Sequence, residues 1–581
     1  MKRLLVFLKD YKKETVLAPL FKLLEASFEL LIPLVVAAIV DQGIGQGDLS
    51  AVYRLGGIMV LLGVVGLLAA ISAQFFAAKA AVGVATGLRS ALFAHIQSLS
   101  HTEIDTVGTS TLITRLTSDV NQVQSGVNMT LRLLLRSPFI VFGAMIMAFT
   151  VDVKSALIFA GVIPLLCVVV FGIMLLTMPM YQQVQKRLDG VLALTRENLT
   201  GIRVIRAFHK EQDEIQKFKK GNEELTSMQL GVGKISGLMN PVTYVLINLG
   251  LVLLIHTGAL QVDAGRLTQG QVIALVNYIS QILVELVKMA NLIILITKAI
   301  SSANRISDIF DHQSSISEDG REEIVEDKEI PILEFENVDF CYAGAGEASL
   351  SGIDFAVYAG ETVGIIGGTG SGKTTLVNLI PRFYDATAGL VRYHGKPISE
   401  YPLETLRGRI GVVPQKAVLF KGTIRSNLLW GNPHATAAEL EEAMETAQAK
   451  EFVEKLDQYL DAPVAQGGKN FSGGQRQRLT VARALVRKPE ILILDDSTSA
   501  LDYATDARLR ARLKERTEKM TTVIVSQRTS SIQSADKIVV LEDGKIVGLG
   551  THRYLLENCE VYQEIYDSQY QKGSEAEGIY E

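Results

Sequence analysis

The sequence predicts an all-α membrane domain over its first half and an α/β domain over its second half. Six apolar stretches precede residue 300, and each has about the length that a helix needs to cross ~30 Å of hydrocarbon. They span 17–40, 55–78, 133–151, 155–178, 241–260 and 271–297. Later in the chain, short aliphatic strands alternate with helical segments, which is typical of a mostly parallel sheet covered by helices. The 581 residues are enough for both domains.

The loops between the apolar stretches alternate between short and long, and their charge follows this alternation. The short loops, 41–54, 152–154 and 261–270, contain three Lys and Arg residues, whereas the long loops, 79–132 and 179–240, contain fourteen. Because positive charge is retained on the cytoplasmic side of a membrane, we expect the amino terminus, both long loops and everything after residue 300 to be cytoplasmic. The long loops also look helical, so the membrane helices should extend well into the cytosol.

Composition argues against several other classes of protein. The formal charge of -5 gives no electrostatic basis for binding nucleic acid. The three cysteines, Cys167, Cys341 and Cys559, lie far apart, so we expect neither a disulfide framework nor a zinc site. The apolar stretch Leu4–Leu8 is too short for a signal-peptide core, and with its basic neighbours it favours an amphipathic helix on a membrane surface.

An acidic, polar segment separates the two predicted domains. We place the membrane domain at 1–300, a linker without helical apolar periodicity at 301–331, the α/β domain at 332–570 and a polar tail at 571–581. The predicted core strands of the α/β domain are Thr362–Ile366, Ile491–Leu494, Thr522–Val525 and Ile538–Leu541.

A phosphate-binding loop follows the first of these strands. The residues Gly367, Gly368, Thr369, Gly370, Ser371, Gly372, Lys373 and Thr374 match G-x-x-x-x-G-K-[ST] between a strand and a helix, and Thr375 continues into that helix. Glycines allow backbone N–H groups to turn toward phosphates. We therefore expect Lys373 to reach the β- and γ-phosphates of a nucleotide, and the Thr374 hydroxyl to bind Mg²⁺.

The segment ILILDDSTSALD, residues 491–502, places two acids at the end of a second aliphatic strand. In P-loop proteins an acid at this position holds Mg²⁺, often through water. We therefore predict that Asp495 takes part in the metal site.

Together these motifs resemble those of an ABC exporter half-transporter: a six-helix transmembrane domain with long cytoplasmic helical extensions, followed by an α/β P-loop nucleotide-binding domain. The resemblance covers nearly the whole chain and implies that the ligands are ATP and Mg²⁺. It implies that Tyr342 in FCYAG stacks on adenine and that Gln415 in VVPQ is the Q-loop glutamine, acting in catalysis and on Mg²⁺. It also identifies Asp495 as the Walker B acid and SALD, ending at Asp502, as the D-loop.

The segment NFSGGQRQRL resembles the LSGGQ signature of this family, with Phe471 where Leu is usual. Taken alone, it would be an ordinary helix start. Within the family, Ser472, Gly473, Gly474 and Gln475 would bind the γ-phosphate of ATP held by the other chain of a dimer. One chain cannot complete a site, so the resemblance implies a partner.

The two long loops also contain segments that resemble the coupling regions of the family, Thr106–Val120 and Thr195–Phe208. In that family, short helices at the loop tips dock on nucleotide-binding domains. The alternative for each segment is a solvated helical hairpin.

Two residues depart from the family pattern in the nucleotide site. Asp496 stands where active members carry Glu, and its side chain is shorter by one C–C bond, about 1.5 Å. A misplacement of ~1 Å can reduce a rate ~10²-fold, or about 2.7 kcal/mol. Gln527 stands where the switch His is expected, and an amide cannot become a cation. With Gln415 these are the catalytic candidates, and they predict a site that holds ATP but hydrolyses it slowly.

The expected function is that of an exporter subunit in a bacterial inner membrane, which moves amphipathic drugs or lipids and pairs with a different half-transporter. The partner would carry the catalytic Glu and the switch His. Two alternatives remain: a homodimeric exporter that uses Asp496 as its base, and a non-hydrolysing subunit gated by ATP. An importer is disfavoured, because importers of this superfamily usually keep membrane and ATPase parts on separate chains.

Several charged residues lie within the apolar stretches, and two pairs of them are at helical spacing. Glu25 and Glu29 share one face of the first stretch, where they either attract cationic amphiphiles or, as we favour, bond to neighbouring helices. Glu285 and Lys288 are spaced i, i+3 in the sixth and are expected to pair.

Overall fold

The computed structural model describes residues 4–317, 320, 324, 327, 329–497, 501–515 and 520–570, which form two compact units. The first unit comprises residues 1–97 and 109–312, and the second comprises 98–108 and 313–581. The predicted tail, 571–581, lies outside the described residues.

The first 312 residues are almost entirely helical. The helices are α1 Lys12–Ala38, α2 Leu49–Ser98, α3 His101–Val107, α4 Thr109–Thr114, α5 Val120–Leu133, α6 Arg136–Val151, α7 Val153–Thr200, α8 Ile202–Ala207, α9 Glu211–Gly237, α10 Met239–Asp263 and α11 Gln269–Asp311. A 3₁₀ helix, Leu4–Tyr11, precedes α1, and π-helical turns at Ile39–Ile44 and Arg115–Asp119 connect longer elements.

Six continuous helical rods in this part are long and apolar enough to cross a membrane, as predicted. They span Val6–Ile44, Leu49–Ser98, Thr109–Val151, Val153–Thr200, Glu211–Asp263 and Gln269–Asp311. Each predicted apolar stretch lies inside one rod, and each rod has 39 to 53 residues. At 1.5 Å per residue this exceeds ~30 Å of hydrocarbon, so the rods extend beyond a bilayer, as expected from the helical character of the long loops.

The first and last of these rods are held together near the short loops. Asp41 accepts hydrogen bonds from Thr268 Oγ1 at 2.5 Å and from the Gly270 backbone N–H at 2.8 Å. Gly270 allows this approach, because a Cβ there would lie 2.2 Å from the Ala37 carbonyl oxygen. Deeper in the unit, the buried Tyr278 hydroxyl donates to the Leu30 carbonyl oxygen at 2.7 Å.

The predicted start of the linker, residue 301, differs from the structure, because α11 continues to Asp311. The buried residues Ser302, Ala303, Ile306 and Ile309 recur at helical spacing and extend the packed face of α11. The sequence predicted a linker from residue 301 because the segment after α11 is acidic and polar, which obscured this periodicity.

The second unit is an α/β assembly with two main sheets. Its strands are β1 Leu333–Phe340, β2 Leu350–Val357, β3 Thr362–Gly367, β4 Ala388–Tyr393, β5 Lys396–Pro397, β6 Ile410–Val413, β7 Gly422–Thr423, β8 Pro463–Val464, β9 Ile491–Asp495, β10 Thr521–Val525, β11 Lys537–Glu542 and β12 Lys545–Gly550. Its remaining helices are α12 Lys373–Leu379, α13 Leu403–Arg409, α14 Ile424–Leu428, α15 Ala437–Thr446, α16 Lys450–Glu454, α17 Gly473–Val486, α18 Tyr503–Lys514, α19 Thr529–Ile532, α20 His552–Asn558 and α21 Glu560–Tyr570.

The larger sheet has the strand order β12-β11-β3-β10-β9-β6. Four of its five strand pairings are parallel, and only β12 runs antiparallel to its neighbour. All residues of β9 and β10 are buried, which explains why their sequences are continuous aliphatic runs. The four predicted core strands correspond to β3, β9, β10 and β11.

The smaller sheet, β2-β1-β4-β5, is antiparallel and was not anticipated. Burial in β1 and β2 is mixed along the strand, so neither strand presents the continuous apolar run that identifies the central strands. This sheet places Tyr342, just after β1, at the cavity described next.

Candidate functional site

The phosphate-binding loop joins β3 to α12 at the carboxyl edge of the parallel sheet. Gly370 and Gly372 have φ values of 85° and 94°, in the region that favours glycine. A Cβ on Gly372 would also lie 2.8 Å from both Leu350 Cδ2 and the Ser349 carbonyl oxygen. The backbone path of this loop therefore requires glycine at the position directly before Lys373.

The Lys373 ammonium lies buried beneath this loop. Its Nζ donates to the carbonyl oxygens of Gly367 and Gly368 at 2.9 and 2.6 Å and approaches Ser371 Oγ at 3.3 Å. Burial lowers the pKa of Lys373, and the negative charges of Asp496 and Asp495 only partly oppose this. A buried cation held by neutral oxygens fits an incoming polyphosphate.

Thr374 and Asp495 form the second part of the site. The Thr374 hydroxyl donates to Asp495 Oδ1 at 3.1 Å, which joins the start of α12 to the end of β9. Asp495 is 5% exposed, and burial raises the pKa of its carboxyl group. A hydroxyl beside a buried carboxylate is a donor set that suits a hard cation, so these residues fit Mg²⁺ bound with the phosphates.

These residues surround a cavity of about 870 Å³. Eleven of the predicted site residues line it: Tyr342, Thr369, Gly370, Gly372, Lys373, Thr374, Thr375, Gln415, Asp495, Asp496 and Gln527. The structure thus brings together residues that are separated by up to 185 positions in the sequence, with ATP-sized space between them. The loop residues Gly367, Gly368 and Ser371 contribute through their contacts with Lys373.

Tyr342 forms one wall of the cavity. Its hydroxyl lies 3.1 Å from Thr375 Oγ1, which fixes the ring beside α12. Phe340 and Tyr384 pack edge-on to it, with ring centroids 4.8 and 5.4 Å from that of Tyr342. An aromatic ring held in this way offers a surface on which a base can stack.

Asp496 follows Asp495 in an unusual backbone conformation. Its φ is 44°, and its N–H donates to the Val525 carbonyl oxygen at 3.0 Å. Asp tolerates this left-handed region better than most residues. The Asp496 carboxylate accepts a hydrogen bond of 3.3 Å from Gln415 Nε2.

Gln527 lies exposed at the end of β10, on the cavity wall. The segment that carries it is held by α21, because Gln569 Nε2 donates to the Gln527 carbonyl oxygen at 2.8 Å. Gln569 Oε1 in turn accepts from both the N–H and the hydroxyl of Thr529, each at 2.9 Å. Sequence analysis missed Gln569, and the terminal helix offered no motif that would reveal it.

The signature residues form a helix start away from this cavity. Ser472 caps α17: its Oγ accepts from Gln475 N–H at 3.2 Å, and Gln475 Oε1 accepts from Ser472 N–H at 2.9 Å. Gly473 and Gly474 are the first two helical residues, whose N–H groups have no carbonyl partner within the helix. The preceding Phe471 is buried, 6.4 Å from the Phe452 ring.

Asp502 likewise does not line the cavity. It caps α18, accepting from Thr505 N–H and from Thr505 Oγ1, each at 2.9 Å. Ser499 and Ala500, the first half of the predicted D-loop, lie outside the described residues.

Several cavity residues were not predicted, among them Asp543 and Gly544. They form the turn between β11 and β12, with φ values of 45° and 76°. An Asp-Gly pair between two strands is a known hairpin signal. Its place beside the phosphate loop follows from the parallel pairing of β11 with β3, in which Leu541 lies opposite Gly367. The other unpredicted lining residues are Glu347, Ala348, Ser349 and Val525.

The second unit also includes α3, a helix from the first long loop. The His101 ring stacks on Phe383 at 4.7 Å, and the Tyr384 hydroxyl donates to Asp105 Oδ2 at 2.6 Å. Burial and this hydrogen bond raise the pKa of the Tyr384 hydroxyl. Tyr384 therefore contacts both α3 and the cavity residue Tyr342. The docked helix lies mostly before the predicted coupling segment, which began at Thr106.

Comparison with known proteins covers both units. Residues 15–286 match the family model described as the ABC transporter transmembrane region, and residues 350–499 match the model described as ABC transporter. The uncharacterized ABC transporter ATP-binding protein YfiB of Bacillus subtilis is 36% identical over 99% of this chain and 100% of that protein.

Two further similarities have more informative names. An ATP-dependent lipid A-core flippase of Hahella chejuensis is 32% identical over 98% of this chain and 97% of its own length. A solved structure of a bacterial Atm1-family ABC exporter with ATP bound has a TM-score of 0.77 at 23% identity, covering 96% of this chain and 98% of that one. This last likeness concerns the fold.

Proposed function

This chain belongs to the ABC transporter family as an exporter half-transporter, and we propose that it pairs with a different half-transporter to form two unequal nucleotide sites. Its fold is that of an ATP-driven exporter: a multi-pass membrane protein that functions as a dimer and couples ATP hydrolysis to transport. The proposal concerns the division of work between the two sites, the identity of the partner and the transported compound.

The observation that carries the proposal is the pair of residues at the catalytic end of the cavity. Asp496 lines the cavity with a carboxylate about 1.5 Å shorter than Glu, and its Oδ2 is engaged by Gln415 at 3.3 Å. Gln527, just after β10, supplies a neutral amide at a position where a cationic imidazole would stabilise transition-state charge. Both substitutions slow hydrolysis and leave the groups that hold phosphate, Lys373 and Thr374, in place.

Each nucleotide-holding residue then has an assigned role. Lys373 binds the β- and γ-phosphates, Thr374 and Asp495 hold Mg²⁺ with help from Gln415, and Tyr342 stacks on the base. When bound, Mg²⁺ supplies neutralisation of the phosphate charge. Asp496 orients the water near the γ-phosphate, but from a longer distance than Glu would.

The signature of this chain serves the partner. Ser472 and Gln475 lock the start of α17, so the N–H groups of Gly473 and Gly474 stay directed away from the helix and available to an anion. The partner's ATP would therefore meet a well-formed signature and be hydrolysed there. We assign the catalytic Glu and the switch His to the partner.

Transport would run from the cytoplasmic side of a bacterial inner membrane. The excess of Lys and Arg in the two long loops supports a cytoplasmic amino terminus and nucleotide-binding domain. The relative named as a lipid A-core flippase supports an amphipathic substrate, a lipid or a drug.

The test compares ATP turnover by the purified chain alone with turnover by the chain copurified with its partner half-transporter. We expect the mixed assembly to be faster by a factor of ~10². Replacing the partner's catalytic Glu by Gln should nearly abolish activity, whereas Asp496→Asn in this chain should have a small effect. Fast turnover by the chain alone would instead support a homodimer with Asp496 as the base. A mixed assembly whose turnover transported compounds do not stimulate would support an ATP-gated regulatory subunit.

A further inference from the structure

A network of four charged side chains connects three helices of the membrane-crossing unit. Arg136 at the start of α6 is 6% exposed and donates from Nη1 to Glu285 Oε1 on α11 and from Nη2 to Glu29 Oε2 on α1, each at 2.6 Å. Lys288 donates to Glu285 Oε1 at 2.8 Å, and Ser137 donates to Glu285 Oε2 at 2.9 Å. The expected pairing of Glu285 with Lys288 is present, and Glu29 bonds to a neighbouring helix, as we favoured. Glu25 pairs instead with Lys22 on its own helix, at 2.5 Å.

The three helices carry the network at similar distances from the short-loop ends of their rods. Counted along the helical rods from the short-loop ends, Glu29, Arg136 and Glu285 lie about 22, 22 and 24 Å from those ends, at 1.5 Å per residue. A hydrocarbon core is ~30 Å thick, so this depth is within the core but close to its cytoplasmic boundary. Ionised groups at such a depth are costly and usually serve a pathway or a ligand.

One face of α11 near the network is exposed in the described unit and carries polar residues beside the apolar Ile273 and Val284. Asn277, Ser280, Lys288 and Asn291 are all exposed and fall within an arc of about 80° on the helix surface. Asn277 Nδ2 and the Ser280 hydroxyl each donate to a backbone carbonyl of α11 at 3.0 Å. Lipid tails cannot satisfy an ammonium group, so Lys288 is the member of this face that most requires water, a ligand or protein as a partner. Lys288, within this stripe, is also a member of the charged network.

The two accessible members of the network have opposite charges. The Lys288 side chain is 44% exposed and that of Glu29 is 36% exposed, whereas those of Arg136 and Glu285 are 7% and 3% exposed. Lys288 has three N–H donors and uses one of them on Glu285. Glu29 binds Arg136 through Oε2, and no described residue donates to its Oε1. The surface of the network therefore offers one cation and one anion.

We propose that Lys288 and Glu29 form a headgroup subsite for zwitterionic amphiphiles, with Lys288 binding a phosphate or carboxylate and Glu29 binding an ammonium group. Arg136 and Glu285 position the two: Arg136 orients Glu29, and Glu285 orients Lys288. The inference rests on the exporter function proposed above and names its substrate class. An amphiphile in the cytoplasmic leaflet presents its headgroup near this depth.

Charge complementarity also excludes other headgroups. A purely cationic headgroup would face Lys288, and a purely anionic one would face Glu29, so each would gain one favourable contact and one repulsive contact. This selection depends on both residues. Removing the Lys288 charge should favour cationic headgroups, and removing the Glu29 charge should favour anionic ones.

The experiment measures lipid retained by the purified full-length chain in nanodiscs, by native mass spectrometry and without nucleotide. The discs contain equal amounts of three lipids with the same acyl chains: zwitterionic phosphatidylethanolamine, anionic phosphatidylglycerol and a trimethylammonium lipid. The unmodified chain should retain the zwitterionic lipid preferentially. Lys288→Gln should shift the zwitterionic-to-cationic ratio about tenfold toward the cationic lipid, and Glu29→Gln should shift the zwitterionic-to-anionic ratio similarly toward the anionic lipid.

Matched controls use the same substitutions on the same helices. Lys298→Gln on α11 and Glu14→Gln on α1, whose ion-pair partner is Lys79, should leave all three ratios unchanged. Equal retention of the three lipids by the unmodified chain would overturn the proposal, and this is also the result expected if another protein chain covers the stripe. Equal shifts in the network and control variants would overturn it as well. Because the readout needs neither a partner nor ATP hydrolysis, its outcome is independent of the test of unequal nucleotide sites.

Discussion

At the scale of single residues, the candidate nucleotide site contains two buried groups, Lys373 and Asp495, whose charged forms are disfavoured by burial. Lys373 and Asp495 are both buried, and burial opposes the charged form of each: it lowers the pKa of the lysine and raises that of the aspartate. Phosphate and Mg²⁺ would remove both penalties at once. Burial of these two groups therefore favours ligand binding over the stability of the nucleotide-free protein.

Lys373→Met should raise the thermal midpoint of the nucleotide-free protein at neutral pH, while abolishing the stabilisation by ATP and Mg²⁺. Because the folded pKa of Lys373 is lowered, the folded state resists its protonation, and the penalty is present well below the folded pKa. It fades as pH rises through that value toward the unfolded pKa of ~10.4. The gain should thus be larger near pH 7 than near the unfolded pKa of ~10.4. A variant that melts below the unmodified protein at pH 7, without nucleotide, would contradict this account.

Asp496→Glu should raise ATP turnover at this site. Lengthening the side chain restores the reach of the carboxylate toward the γ-phosphate, and we expect a gain of ~10- to ~10²-fold. Some stability should be lost, because φ is 44° at this position and Asp accepts that conformation better than Glu. The isosteric Asp496→Asn serves as the control and should not raise turnover. An unchanged rate in Asp496→Glu would mean that side-chain length does not limit hydrolysis here.

At the scale of secondary-structure elements, the docking of α3 links the base pocket to the first long loop. Tyr384 lies between Tyr342, 5.4 Å away between ring centroids, and Asp105 of α3, which accepts its hydroxyl at 2.6 Å. A base stacked on Tyr342 would therefore lie beside Tyr384, whose hydroxyl also holds α3.

Tyr384→Phe should retain nucleotide affinity but weaken the coupling of transport to hydrolysis. The ring that packs beside Tyr342 is kept, whereas the hydrogen bond to Asp105, of a kind worth about 1.5–3 kcal/mol, is lost. We expect the ratio of substrate-stimulated to basal ATPase activity to fall by about tenfold or more.

Tyr562→Phe is the matched control, because it removes a buried hydroxyl that lies 2.7 Å from His552 Nδ1 on α20. It should leave the coupling ratio unchanged. Equal loss of coupling in both variants would show that Tyr384 only stabilises the fold.

Elements differ in how well the sequence predicts them, for identifiable reasons. The parallel strands β9 and β10 are buried along their whole length, and β3 is buried except at Thr362, so their continuous aliphatic runs were recognised. The antiparallel sheet around β1 was missed because its residues are only partly buried. The end of α11 was missed because its buried face includes small and polar residues such as Ser302 and Ala303.

The site shows the same distinction. The phosphate loop and Asp495 were predictable because a short motif places them on a strand and a helix that follow each other directly. Gln569 and Asp543 reach the site through helix packing and strand pairing across the fold, which no local pattern encodes. Likewise, nothing in the sequence connects Arg136 with Glu29 and Glu285, which come together only when three helices pack.

At the scale of the whole molecule, the proposed function gives the chain complementary halves of two nucleotide sites. Its cavity holds the phosphate loop and the metal-binding pair, whereas its signature at the start of α17 lies elsewhere on the same unit. A second chain is required to complete either site. If the partner has the Glu and His that this chain lacks, ATP bound by this chain persists while ATP bound by the partner is consumed.

The most direct measurement follows the γ-phosphate on each chain of the copurified assembly during turnover. The assembly is loaded with photoreactive ATP labelled at the γ-phosphate, chased with unlabelled ATP and Mg²⁺, irradiated at intervals and separated into its two chains. The account predicts that label remains on this chain after many turnovers, while it disappears from the partner within the first few. Loss of label from both chains at the same rate would contradict it.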